Sequence, residues 1–119
     1  MKTQQIADRL VQLCRKGDFE KAQKELFAED AISIEQRATP GFEKETKGLG
    51  AILEKGKQFA TMLEETHSVS ISDPIVAGNA ITLSLNLDAT MKGSGRSTMS
   101  EICVYEVKDG KIISEQFFS

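Results

Sequence analysis

Two glutamates in the C-terminal half of the chain occupy positions where a carboxyl group could transfer protons. Glu115 shares the parity of apolar Ile113 and Phe117 in one alternating segment. Glu101 falls in a second alternating segment, whose apolar members of the same parity are Met99, Cys103, Tyr105 and Val107. Because strand side chains alternate between the two faces, each acid is predicted on an apolar face. A carboxyl group buried there has a raised pKa and can exchange protons near neutral pH.

The cysteines and the single histidine are weaker candidates for chemistry. Cys14 and Cys103 both lie in apolar patterns, which are typical of buried free thiols. A nucleophilic Cys103 would need an adjacent base, and His67 is far from it in the sequence. We interpret His67 as a sheet-end residue, with a proton shuttle at a pocket mouth as the alternative. One histidine without a cysteine cluster provides no ligand set for structural zinc, and no cofactor is expected.

Neither glycine-rich segment is expected to bind phosphate. Gly48-Leu49-Gly50 precedes a predicted helix, but Leu53 stands where a dinucleotide fingerprint requires glycine. Gly93-Ser94-Gly95 joins two predicted strands and is therefore interpreted as a hairpin turn.

The elements that must position these residues change type along the chain. Apolar residues recur at helical spacing between Thr3 and Gly17, and again after a potential cap at Asp18. The longest apolar stripe, from Leu49 to Leu63, predicts a third helix. The first half is therefore predicted to be mainly helical.

Strand patterns dominate the second half. Residues 31–35 predict one short early strand, and residues 36–47 predict a loop. From Thr66 onward the period becomes two, and Asp109-Gly110 is a strong hairpin signal before the last strand. Helices followed by hairpin-linked strands indicate a single α+β domain over residues 1–119.

Three short passages carry a resemblance to a known family. They are Gly17-Asp18 with Phe27-Ala28-Glu29-Asp30-Ala31, Lys47-Gly48 before the third helix, and Lys108-Asp109-Gly110-Lys111-Ile112 in the last hairpin. In this order they resemble motifs of the nuclear transport factor 2-like superfamily and its SnoaL-like domains. The resemblance implies a cystatin-like α+β fold, in which three N-terminal helices pack on a curved antiparallel sheet to form a cone.

The resemblance also has implications for the acids. Similarity to the ketosteroid-isomerase branch implies that Glu101 and Glu115 face the concave side, and it places Glu35 where that branch carries its general base. Leu10 and Cys103 stand where that branch needs a tyrosine and a protonated acid. Steroid isomerisation is therefore not expected.

Apolar residues from the third helix and the sheet are predicted to converge inside the cone. They are Phe59, Leu63, Leu83, Leu85, Cys103, Tyr105 and Phe117. They either form a packed core or line a pocket for a small apolar or aromatic ligand. The leading hypothesis is a small-molecule-binding domain. The alternatives are a cofactor-free isomerase, dehydratase or cyclase that uses Glu35, Glu101 and Glu115, and a homodimeric interaction module with a filled cone.

The opposite sheet face and the composition bear on partners. Ile102, Val104 and Phe118 lie on that face among polar residues, and many superfamily members pair through it, so a homodimer is expected. The net charge is -3 and no basic stripe occurs, so a nucleic-acid partner is not expected. The chain contains neither an apolar run of about 20 residues nor a signal-peptide pattern. We therefore expect a cytoplasmic protein without membrane association.

Overall fold

Three helices precede most of a seven-stranded sheet in the computed structural model, which describes residues Met1–Ser119. The helices are α1 (Thr3–Arg15), α2 (Phe19–Leu26) and α3 (Leu49–Thr61). The strands are β1 (Phe27–Ile34), β2 (Glu45–Lys47), β3 (Leu63–Ile71), β4 (Ile75–Ala77), β5 (Ala80–Met91), β6 (Gly95–Lys108) and β7 (Lys111–Phe118). None of the helices is both long and apolar enough to span a membrane.

The helix boundaries follow the local sequence with small differences. α1 ends before Gly17, which has a φ of +78° that favours glycine. Lys2 occupies the N-cap position of α1, and its backbone N–H donates a hydrogen bond to Gln5 Oε1 at 2.8 Å. The sequence predicted a third helix that extends to Leu63, which is too long at the C-terminal end. In the structure, α3 stops at Thr61 and Leu63 is the first residue of β3.

The sheet confirms the predicted α+β class but is mixed rather than wholly antiparallel. Its strand order is β2-β1-β7-β6-β5-β3, and β4 also pairs with β5. β1 runs parallel to β7, whereas every other pair is antiparallel. A parallel pair needs a long crossover, and here residues 35–110 form the connection between the two strands. The β1–β7 ladder therefore places the first strand of the chain beside the last one.

A β-bulge changes the predicted parity at the start of β7. Val107 pairs with Ile112, whereas Glu106 pairs with Ser114, so Ile113 has no opposite partner. Ile113 was predicted to share a face with Glu115 and Phe117. Because of the extra residue at the bulge, Ile112 lies on that face instead. Ile112 is fully buried, and Ile113 is only half-buried.

The core lies between α1, α2 and one face of the sheet, which we call the inner face. α1 contributes Ile6, Leu10 and Leu13, all nearly inaccessible. α3 buries only Ile52 completely, although its apolar stripe is the longest in the sequence. α3 therefore leaves several inward residues half-exposed at one end of the inner face.

The bulge leads to a testable difference between two neighbouring isoleucines. Ile112→Ala is expected to lower the free energy of unfolding by roughly 2–4 kcal/mol, because it leaves a cavity in the core. Ile113→Ala should cost less than half as much, because its side chain already contacts water. Urea denaturation of both variants measures the difference. A larger loss for Ile113→Ala would show that β7 has no bulge.

Candidate functional site

A buried serine–glutamate pair forms the base of the candidate site. Ser33 and Glu115 are Cα partners in the parallel β1–β7 ladder, so their side chains lie side by side. Ser33 is 0% exposed and Glu115 is 4% exposed. Hydrogen bonding from the Ser33 hydroxyl lowers the pKa of the Glu115 carboxyl group. A buried charge requires such a partner, because removing it from water is costly.

Lys55 extends this pair toward solvent. Its Nζ donates to Ser33 Oγ at 2.7 Å and approaches Glu35 Oε1 at 3.4 Å. The ammonium also lies 5.6 Å from the centre of the Phe117 ring, within the range of a cation–π contact. The Lys55 side chain is 17% exposed and that of Glu35 is 30% exposed. Lys55 and Glu35 can therefore be reached from outside, whereas Ser33 and Glu115 lie beneath them.

Burial raises the pKa of Glu115 to about 7. The hydrogen bond from Ser33 and the charge of Lys55 oppose this rise, while the charges of Glu35 and Glu101 add to it. The pKa of half-buried Glu101 is also raised, first by burial and then by Glu35, with Lys55 acting in the opposite direction. The three predicted acids thus lie close enough to influence one another around one ammonium group.

The buried thiol and phenol groups near Glu115 are not suited to nucleophilic chemistry. Burial raises the pKa of Cys14 and of Cys103 to about 12, and the nearby carboxylates add to both effects. Burial also raises the pKa of Tyr105 well above its ordinary range. Both cysteines are free thiols. Because the thiolate is the reactive form, neither is suited to act as a nucleophile.

The seven predicted ligand-binding residues fall into two groups. Leu83, Cys103 and Tyr105 are buried in the core cluster. The other four, Leu85, Phe117, Phe59 and Leu63, are half-buried. Leu85 and Phe117 pack against the core cluster, whereas Phe59 and Leu63 lie outside it. The inner face therefore has a closed end of packed side chains and an open end, where Lys55, Glu35 and Glu101 accompany the half-buried apolar residues.

Ser33 and Lys55 are site residues that the sequence analysis missed. Ser33 shares strand parity with buried Ala31 and with Glu35, which was the available signal. Lys55 follows buried Ile52 by three residues and therefore lies on the inward side of α3. The sequence signal that could have identified Lys55 was a lysine within an apolar helical stripe.

His67 and the surface grooves lie outside the candidate site. His67 Nε2 lies 2.7 Å from Thr90 Oγ1, on the sheet face opposite buried Leu87 and Ala89. Histidine, cysteine and acidic side chains form no group that could hold a metal ion. Two surface grooves lie along α2 and between α1 and the Asp73-Pro74 turn, and neither includes a residue of the inner face.

The three helices and the mixed sheet form an α+β fold of the nuclear transport factor 2-like type. The model of the SnoaL-like domain matches residues 1–119, and the chain belongs to that family. It is similar to a proposed SnoaL-like polyketide cyclase from Mesorhizobium loti, with 32% identity, 100% coverage of both chains and a TM-score of 0.87. No curated protein matches the chain in sequence.

Two more distant structures share the fold. A cystatin-like-fold protein of unknown function from Xanthomonas campestris is 18% identical, with coverage of 100% of this chain and 91% of that chain and a TM-score of 0.83. A hypothetical protein with a ketosteroid isomerase-like fold from Catenulispora acidiphila DSM 44928, in complex with trimethylamine, is 17% identical. There the coverage is 96% of this chain and 84% of that chain, and the TM-score is 0.74.

Glu115 is expected to make stability depend on pH. Its folded pKa of about 7 lies above the ordinary 4.5, so the unfolded chain loses this proton first as the pH rises. The stabilisation associated with the neutral acid is complete below pH 4.5 and is lost as the pH rises through about 7. The total loss is about 3 kcal/mol. Urea denaturation across this pH range should show it in the wild type.

Glu115→Gln should remove most of this pH dependence, because its amide does not ionise. Glu54→Gln, at an exposed position on α3, is the control and should retain it. Equal pH slopes for the wild type and Glu115→Gln would show that folding does not raise the pKa of Glu115.

Proposed function

We propose that this chain is a small-molecule-binding domain whose ligand occupies the open end of the inner face. The observation that carries the proposal is the gathering of Glu35, Glu101 and Lys55 beside half-buried apolar residues, above the buried Glu115. Ligand sites typically combine an apolar wall with a few convergent polar groups. The ligand is expected to place an apolar or aromatic part against Phe117 and a polar group near Lys55.

Two relatives support the proposal that this fold binds small molecules. The Catenulispora protein holds trimethylamine within a fold of the same kind. The description of the Mesorhizobium protein names a proposed polyketide cyclase and a carbohydrate phosphatase, and both activities are on small molecules. Both descriptions agree with a fold that accepts small organic ligands, and neither determines the ligand of this chain.

A second candidate function is acid–base catalysis without a cofactor. It is favoured by the burial of Glu115, which raises its pKa to about 7, because a general acid or base works best near the operating pH. In this reading Glu35 and Glu101, which are nearer the solvent, contact the substrate, and Glu115 stores a proton below them. Isomerisation, dehydration and cyclisation all require such proton transfers.

Ligand binding can be tested by thermal shift with a library of small aromatic and carbonyl compounds. A ligand that binds the folded state raises the melting temperature as it saturates the site. For any compound found, Glu101→Gln and Phe59→Ala are each expected to weaken binding by about tenfold, equivalent to about 1.4 kcal/mol. Ile75→Ala, at a residue that is 68% exposed on β4, is the control and should leave the affinity unchanged.

An affinity that none of the inner-face variants changes would place the ligand elsewhere. A library without a single stabilising compound would favour the third function, an interaction module whose inner face is filled. The buried packing of Leu83, Cys103 and Tyr105 at the closed end is the observation that agrees with that alternative.

We also propose that the chain forms a homodimer through the sheet face opposite the inner face. Ile102 and Phe118 pair across β6 and β7 on that face and are 48% and 39% exposed. Half-buried Val104 lies on the same face. Contiguous apolar residues on a sheet face favour association, because burying them removes apolar surface from water.

Light scattering is expected to give a mass near twice the 13.1 kDa of the chain. Ile102→Asp should shift the mass toward that of one chain, because it would place a charge in the interface. Ile75→Asp introduces the same charge at another exposed isoleucine and should leave the dimer intact. A wild-type mass of 13.1 kDa at micromolar concentration would refute this assembly.

A further inference from the structure

Glu101 is the acid at the open end of the inner face that has no positive partner. The ammonium of Lys55 forms its ion pair with Glu35, at 3.4 Å between Nζ and Oε1, and no basic side chain lies within ion-pair distance of Glu101. Glu101 is half-buried, and its carboxylate feels the negative charge of Glu35 as well as the positive charge of Lys55. The open end therefore has one carboxylate more than its single ammonium can balance.

The ammonium of Lys55 shows that these surroundings accept an organic cation. Its Nζ donates to Ser33 Oγ at 2.7 Å and lies 5.6 Å from the centre of the Phe117 ring. Oxygen acceptors and an aromatic face are the groups that ordinarily surround a bound ammonium. Beneath them Glu115, which is 4% exposed and makes no ion pair, adds a further carboxyl group. The inner face is thus better suited to positive than to negative charge.

The strand register places apolar side chains on both sides of Glu101. Glu101 of β6 is the Cα partner of Leu85 on β5. Cys103, two residues further along β6 and on the same face, is the Cα partner of Phe117 on β7. Glu101 and Phe117 are therefore diagonal neighbours, which long side chains can bridge. A ligand that covers the half-buried Leu85 and Phe117 also covers the carboxyl group between them.

Such a ligand must replace the water that now solvates Glu101. Burying an ionised carboxylate is costly unless a cation or hydrogen-bond donors take the place of that water. An anionic ligand would be repelled by Glu101 and Glu35, and Lys55 is already paired. A neutral apolar ligand would leave the carboxylate without a partner. A cationic ligand satisfies the carboxylate and balances its charge.

We propose that the open end of the inner face binds a small organic amine in its protonated form, with Glu101 as the counter-ion and Leu85 and Phe117 as the apolar wall. The inference rests on the proposed binding function and narrows the ligand class to amine cations that carry an aromatic or aliphatic group. Because Glu35 balances Lys55, the ammonium of the ligand meets the uncompensated charge of Glu101.

Three ligands of similar shape and different charge test this inference on the full chain. Benzylamine, benzyl alcohol and benzoate are a cation, a neutral molecule and an anion at about pH 7. Chemical-shift titration of the isotope-labelled protein by NMR gives the Kd of each ligand and locates its site. Benzylamine is expected to bind at least about tenfold more tightly than benzyl alcohol, and benzoate should bind most weakly. Bound benzylamine should also lower the titration midpoint of Glu101, because a cation stabilises the charged form.

Two variants of β6 separate the counter-ion from the general charge of the protein. Glu101→Gln keeps the shape of the side chain and should abolish the preference for benzylamine while leaving the affinity for benzyl alcohol nearly unchanged. Glu106→Gln removes the same charge from an exposed position on the opposite face of the strand and should retain the preference. Thermal unfolding of each variant shows whether its fold is intact.

Equal affinities of the wild type for benzylamine and benzyl alcohol at the inner face would overturn the inference and preserve the binding function. A preference for benzylamine that persists in Glu101→Gln would also overturn it, because another group would then balance the cation. Shifts confined to residues outside the inner face would refute the assignment of the amine to this site. When neither these three ligands nor any library compound perturbs the inner face, the binding function fails and the inference fails with it.

Discussion

A carboxyl group that is almost completely removed from water must either receive hydrogen bonds or remain neutral, and Glu115 imposes this constraint on the inner face. The parallel pairing of β1 with β7 places Ser33 beside it, and Lys55 reaches Ser33 from α3. The same ammonium then contacts Glu35 nearer the solvent. One buried acid thus links a strand pair, a helix and the end of β1 in a single polar network.

This network divides the inner face into two functional regions. Below it, tightly buried residues such as Leu83, Cys103 and Tyr105 provide the low-dielectric surroundings that raise the pKa of Glu115. Above it, α3 covers the sheet incompletely, and Phe59 and Leu85 stay half-buried. The packed region therefore determines the protonation of the acid, and the open region determines what can approach it. A fold of this size can supply both, because the helices cover only part of the sheet.

The class of the fold and the sheet face of two acids could be predicted from the sequence. Alternation along β6 and β7 correctly identified Glu101 and Glu115 as acids on an apolar face, since that pattern is local. The bulge that replaces Ile113 with Ile112 is a matter of pairing between strands, which parity along one strand does not reveal. The parallel β1–β7 ladder is likewise non-local, and for that reason Ser33 was not foreseen as the partner of Glu115. Lys55 was visible as an inward position of α3 but resembled an ordinary surface charge.

The central claim is that burial raises the pKa of Glu115 and that Ser33 and Lys55 partly oppose this rise. Carboxyl carbon NMR of selectively labelled glutamate measures its titration directly, in the wild type and in Ser33→Ala. The structure predicts a midpoint near 7 for the wild type and a higher midpoint for Ser33→Ala, because the variant loses the donor that stabilises the charged form. A wild-type midpoint near the ordinary 4.5 would contradict the account, because it would mean that Glu115 is solvated and that the inner face contains no such site.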